Sequence, residues 1–230
     1  MGIIRLSDEE VFTTDGQEYE ILTDAAKRIK GVDGGVVEIG TRRGGSAKLI
    51  IDALEQNGDT NRAMFCIDPY GNIEYECTNL NITAHRLNVP IEGDPEAKDK
   101  TGKVRLDYDN NMRNRVIPSL YYYAYMRGLN FTFFQLEDTE FMNRYSFGVP
   151  IYEHVKKMVT HYALVFFDGP HVHPTIDNEV DFFGTRVNTG SVFVFDDIWM
   201  YDHARVEKRL DELGFEKITA GNVKASYVKK

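Results

Sequence analysis

The chain has 230 residues, 42% of them hydrophobic and 27% charged, with a formal net charge of −9. That balance suits one soluble domain with a substantial core, while the acidity argues against a nucleic-acid partner, whose phosphates require a basic footprint. No apolar run reaches the roughly 18 residues of a membrane-spanning helix, so no membrane partner is expected.

The opening segment, MGIIRLSDEEVF, has no signal-peptide apolar core, and Leu6 stands where a myristoylation signal carries Ser or Thr. Cys66 and Cys77 show no CxxC spacing, so neither a disulfide framework nor a zinc site is expected. A cytoplasmic location follows as the expectation.

In chain order, apolar residues at helical spacing and a basic end predict a helix over 16–30, stopped by Gly31. GGVVEIG (34–40) reads as a short buried strand and TRRGG as a turn. A second helix follows over SAKLIIDALEQNG, with Ser46 a candidate N-cap and Gly58 past its end. AMFCID (63–68) is a second apolar strand ending in an acid. The polar stretch 71–112 is too long for a plain loop and is expected to be a substrate-binding insertion or lid. Beyond it come a helix over 113–129, a strand over 130–138 and a helix over 149–161 with Pro150 near its start. Then follow a strand over 162–168, a helix over 175–187, a strand over 190–197 and a helix over 203–214. FEKITA and KASYVKK can form a terminal hairpin.

Solid apolar strands alternating with helices predict an α/β fold with a parallel sheet covered on both faces. Ligands of such sheets bind at the carboxyl ends of the strands. Three strands here end in acids: Asp68, Asp168, and Asp196 with Asp197. In VVEIGTRRGG, Gly40 permits a sharp turn out of the strand, and Gly44 or Gly45 lets the next helix start close to an anionic group. The spacing is not GxGxxG, so the dinucleotide fingerprint is not met. Glu38 can hold the loop amides or a ligand amine. Asp68 falls about one βαβ unit later, where an acid can accept both hydroxyls of a ribose; a turn cap is the plain alternative.

VVEIGTRRGGSAKLIIDAL, CIDPYG, FQLEDTEF, ALVFFDGPHVH and GSVFVFDDIW, in this order, resemble a class I S-adenosylmethionine-dependent methyltransferase. Within that superfamily they resemble the small-molecule O-methyltransferases of the macrocin type, which hold a divalent metal between a DG-x-H strand end and a later DD pair. The resemblance covers about 34–215 outside the insertion, and implies a Rossmann-like, doubly wound, mostly parallel seven-stranded sheet in a single domain. It implies that Gly40, Thr41 and Gly44 approach the methionine part of the cofactor with Glu38 in support, that Asp68 binds the ribose, and that Asp138 sits near the adenine amine. Ser46 and Asp168 complete the expected cofactor set. Arg42 and Arg43 depart from the small residues usual in the first loop.

Asp168, Asp196 and Asp197 are expected to converge, and clustered carboxylates repel unless they share a cation or a proton. Magnesium suits an all-oxygen set; capping of the following loop is the alternative. His171 lies three residues past Asp168, behind a Gly-Pro turn, and is the first candidate for the base that deprotonates a hydroxyl. His173 and His203 rank behind it as turn and helix residues. The expected reaction is methyl transfer to a hydroxyl of a small molecule, a sugar or catechol-like diol chelated by the metal. A metal-dependent hydrolase- or hydroxylase-like enzyme and a noncatalytic cofactor-binding protein are the competing readings. A homo-oligomer is compatible with the sequence.

Overall fold

A computed structural model describes residues 11–14, 16–71 and 110–230. The expected insertion over 71–112 therefore lies almost wholly outside the described residues.

The elements are α1 (Tyr19–Arg28), β1 (Gly35–Ile39), α2 (Gly45–Asn57), β2 (Ala63–Ile67), α3 (Asn110–Tyr125), β3 (Asn130–Phe134), α4 (Asp138–Arg144), β4 (Val149–Tyr152), β5 (Lys156–Val159), β6 (Tyr162–Phe167), α5 (Thr175–Gly184), β7 (Val192–Phe195), α6 (His203–Glu212), β8 (Phe215–Ala220) and β9 (Ala225–Lys229). Seven strands make one sheet in the order β3-β2-β1-β6-β7-β9-β8. The first five are parallel, and β9 and β8 close the edge as an antiparallel hairpin. The chain runs outward from β1 in one direction and returns through β6 in the other, so the topological switch point falls between these two strands.

The central strands are solidly apolar because both faces are covered. Along β1, Val36 joins a core with Leu22, Ile50, Leu54 and Leu120, whereas Val37 and Ile39 join a second core with Phe141, Phe183 and Leu210. Helices α1, α2 and α3 thus cover one face, and α4, α5 and α6 the other. No described helix is long and apolar enough to cross a membrane.

Three expectations need correction. Residues 149–161 form a hairpin, not a helix: Val149 pairs with Val159 and Ile151 with Lys157. Val149 and Ile151, two apart, pack with Val159 against the second core, so strand alternation with β-branched residues outweighs the helical spacing. The strand expected over 130–138 stops at Phe134, because Glu137 and Glu140 form a capping box that starts α4. Ser46 does not cap α2; Gly44 does, in the left-handed conformation (φ 71°).

Candidate functional site

Four backbone N–H groups mark the carboxyl edge of the sheet. Asp68 donates to the Phe134 carbonyl, Gly40 to Ile67, Asp168 to Ile39 and Asp196 to Phe167, at 2.9–3.1 Å. The ladder thus sets Asp68, Gly40, Asp168 and Asp196 side by side in that order. A cavity of about 300 Å³ opens above them, lined by Gly40, Thr41, Ser46, Asp68, Asp138, Asp168, His171 and Asp197 among others.

Gly40 permits the close approach at the switch point. Its φ is 86°, and an added Cβ would lie 2.0 Å from the Asp168 carbonyl oxygen. Gly40→Ala is expected to cost about 2–4 kcal/mol by combining overpacking with a left-handed penalty, lowering Tm by roughly 5–10 °C. An unchanged melting curve would show that β1 and β6 can part here without cost.

Asp68 organises the loop after β1. Its Oδ2 accepts the backbone N–H of Thr41 (3.0 Å) and of Arg42 (2.9 Å), and its Oδ1 accepts that of Tyr70 (2.9 Å). The Tyr70 hydroxyl donates back to the Arg42 carbonyl at 2.5 Å. Burial raises the Asp68 carboxyl to about 6, against the pull of those three amides. Asp68 therefore caps the turn, and it also lines the cavity.

Glu38 and Gly44 stand behind the wall instead of on it. Glu38 is fully buried, its Oε2 accepts the Cys66 thiol at 3.1 Å, and burial raises it to about 7. Gly44 faces α3, where an added Cβ would meet Val116, Leu120 and Phe12. Gly45 lines the cavity in its place, under the Thr13 carbonyl. Two polar lining residues also reach inward: the Thr41 side chain hydrogen-bonds Glu38, and the Asp138 carboxyl hydrogen-bonds Glu179. Behind Asp138 lies Glu179, fully buried, its carboxyl raised well above the usual range by burial and then by Asp138.

The other end of the cavity holds His171, Asp168 and Asp197. The buried His171 ring lies parallel to Tyr201, with 5.9 Å between ring centres, and its Nε2 stands 3.4 Å from Asp197 Oδ2. Trp199 Nε1 donates to the other Asp197 oxygen at 3.1 Å. Burial works to raise Asp197, but His171, Lys224 and Trp199 together hold its carboxyl below the usual range. Asp168 lies well above it, through burial first and then repulsion from Asp196 and Asp197. His173 instead sits at the start of α5, with Nδ1 3.0 Å from Asp177, and His203 contacts the Tyr227 hydroxyl at 2.8 Å.

The expected metal set of Asp168, Asp196 and Asp197 does not fit this arrangement. Asp197 adopts a left-handed backbone (φ 46°), and the two consecutive carboxylates part. Asp197 lines the cavity, whereas Asp196 binds the buried Lys224 through Oδ2 (2.7 Å) and the Asp197 N–H through Oδ1 (2.7 Å). Both Asp196 oxygens are committed to the protein, and among the described residues no group of three or more His, Cys, Asp and Glu could hold a metal ion. Lys224 was not visible as a site residue in the sequence. It lies in the turn of a hairpin, with no motif around it, and only the pairing of β9 with β7 brings it to Asp196.

A family model described as a methyltransferase domain matches residues 37–198. Among solved structures, the calicheamicin methyltransferase CalS11 is 15% identical at a TM-score of 0.57, over 91% of this chain and 78% of that one. The O-methyltransferase NovP is 14% identical at a TM-score of 0.55, over 92% and 79%. The precorrin-6y C5,15-methyltransferase of Geobacter metallireducens is 13% identical at a TM-score of 0.55, over 97% and 96%. At such identities the likeness is one of fold. No curated protein matches the chain by sequence.

Proposed function

The chain belongs to this family of methyltransferase domains, and on that premise we propose that it transfers a methyl group from S-adenosylmethionine to a hydroxyl of a small molecule. One observation carries the reading: a single cavity at the switch point joins Thr41, Asp68 and Asp138 at one end to Asp168, His171 and Asp197 at the other. Asp68, whose three amides leave about one lone-pair position of its carboxylate open, would accept a ribose hydroxyl, and Asp138 the adenine amine. Gly40, Thr41, Gly45 and Ser46 would border the methionine part.

The cofactor supplies an electrophilic methyl group on a sulfonium, so the protein's share is alignment and removal of one proton. The acceptor hydroxyl would be aligned with that methyl group, and its proton would pass to His171. Asp197 faces the other side of that exchange, holding the ring and stabilising its protonated form. Asp168, its carboxyl raised by burial and by its acidic neighbours, is the second group at that end that could take the proton. No step passes through a metal. Without chelation a vicinal diol is not required, and one hydroxyl on a sugar or a catechol-like ring suffices.

Calorimetry with S-adenosylhomocysteine tests the reading. Saturable one-to-one binding is expected, and absence of heat at millimolar ligand would sink it. Methyl transfer from labelled S-adenosylmethionine to hydroxylated acceptors then separates an enzyme from a cofactor-binding protein.

A further inference from the structure

Register, not chance proximity, delivers Lys224 to Asp196. In the antiparallel β7–β9 pair, Phe195 stands opposite Ala225. The next residue out of β7 is Asp196 and the residue just before β9 is Lys224, so the ladder sets them facing one another. The Lys224 side chain is wholly buried and that of Asp196 is 5% exposed. The ammonium donates to Asp196 Oδ2 at 2.7 Å and to the Gln17 carbonyl at 2.9 Å, and it lies 4.1 Å from the centre of the Tyr19 ring.

The same turn is clamped from outside. The backbone N–H groups of Asn222, Val223 and Lys224 all donate to the Glu18 carboxylate, at 2.8–2.9 Å. Glu18 itself adopts a left-handed backbone (φ 59°). Gln17, Glu18 and Tyr19 therefore pack against the hairpin turn, and Tyr19 forms part of the cavity wall.

We propose that Lys224 is the resident cation of this acidic site and that the enzyme works without a divalent metal. Three carboxylates gathered at adjoining strand ends repel one another unless a cation or a proton is shared. Here a covalently attached ammonium supplies the positive charge from behind the sheet edge. It occupies the Asp196 oxygen that a metal would need and leaves Asp168 and Asp197 facing the cavity. Lys224 acts through Asp196 and is a positioning residue, not a catalytic one. The inference rests on the methyltransferase reading only for what the site does; the exclusion of metal rests on Lys224 itself.

Manganese is the probe, followed by the electron paramagnetic resonance signal of the free ion. Wild type, Lys224→Met, and Lys224→Met combined with Asp196→Asn are titrated, with S-adenosylhomocysteine calorimetry on the same samples. Wild type is expected to leave the free-ion signal undiminished at millimolar Mn²⁺. Lys224→Met is expected to gain one saturable site, at least about tenfold tighter than any wild-type uptake, and the added Asp196→Asn is expected to remove it. A purely structural lysine would produce no such gain. Because removing one partner of a buried ion pair is costly to folding, a second comparison sets wild type beside Asp196→Asn alone. Saturable wild-type binding that Asp196→Asn abolishes would overturn the proposal, as would a folded Lys224→Met that takes up no manganese. Failure to bind S-adenosylhomocysteine would count against the methyltransferase reading and leave the manganese comparison standing.

Discussion

Replacing His171 with alanine is expected to slow methyl transfer by about 10²–10⁴-fold, the usual contribution of a positioned general base. Binding of S-adenosylhomocysteine should change by less than about threefold, since that ligand carries no proton for His171 to remove. The prediction follows from three contacts. Nε2 faces Asp197 at 3.4 Å, the ring lies parallel to Tyr201, and the residue borders the cavity beside Asp168. Asp197 is in turn held below the usual carboxylate range, so it stays ionised and stabilises the imidazolium formed when the proton arrives. The measurement is single-turnover transfer of a labelled methyl group, with binding followed in parallel. An equal loss in binding and turnover would instead assign His171 to holding the cofactor. Undiminished turnover would move the base to Asp168.

Asp68→Ala is expected to weaken S-adenosylhomocysteine binding by at least about 100-fold, because two losses add. The variant removes the proposed acceptor for a ribose hydroxyl, and it takes the Asp68 carboxylate away from the N–H groups of Thr41, Arg42 and Tyr70. A buried donor left without an acceptor costs roughly 1–3 kcal/mol, and the loop that shapes the cofactor end would relax. A pH series provides the control. Burial holds the Asp68 carboxyl near about 6 in the folded chain. A hydroxyl donor is bound better by the ionised form than by the acid, so affinity should fall as pH drops below that value and level off above it. In Asp68→Ala this step should vanish. Calorimetry at pH 5 and pH 8 measures both, and an unchanged step in the variant would assign the titration to another group.

The sequence by itself determined the α/β class, the parallel centre of the sheet and the terminal hairpin. These follow from local rules: solid apolar strands, helices between them, and turns at glycines. It also located the strand-ending residues Gly40, Asp68, Asp168, Asp196 and Asp197, because a parallel sheet must carry such residues at one edge. The place of His171 at that edge was readable from its Gly-Pro turn. What the sequence left open depended on distant chain segments. Residues 149–161 carry helical and strand spacing together, and packing of Val149 and Ile151 on the second core chose the strand. Gly44 and Gly45 are equivalent in sequence, and only the neighbours separate them, α3 behind the first and the cavity before the second. The greatest change came at the acids. Their spacing is compatible with a metal, yet a left-handed Asp197 turned two adjacent carboxylates apart, and antiparallel register set Lys224 against one of them. Spacing along a chain fixes which side chains reach a sheet edge. Which charge meets them there is decided by the strand that pairs beside it.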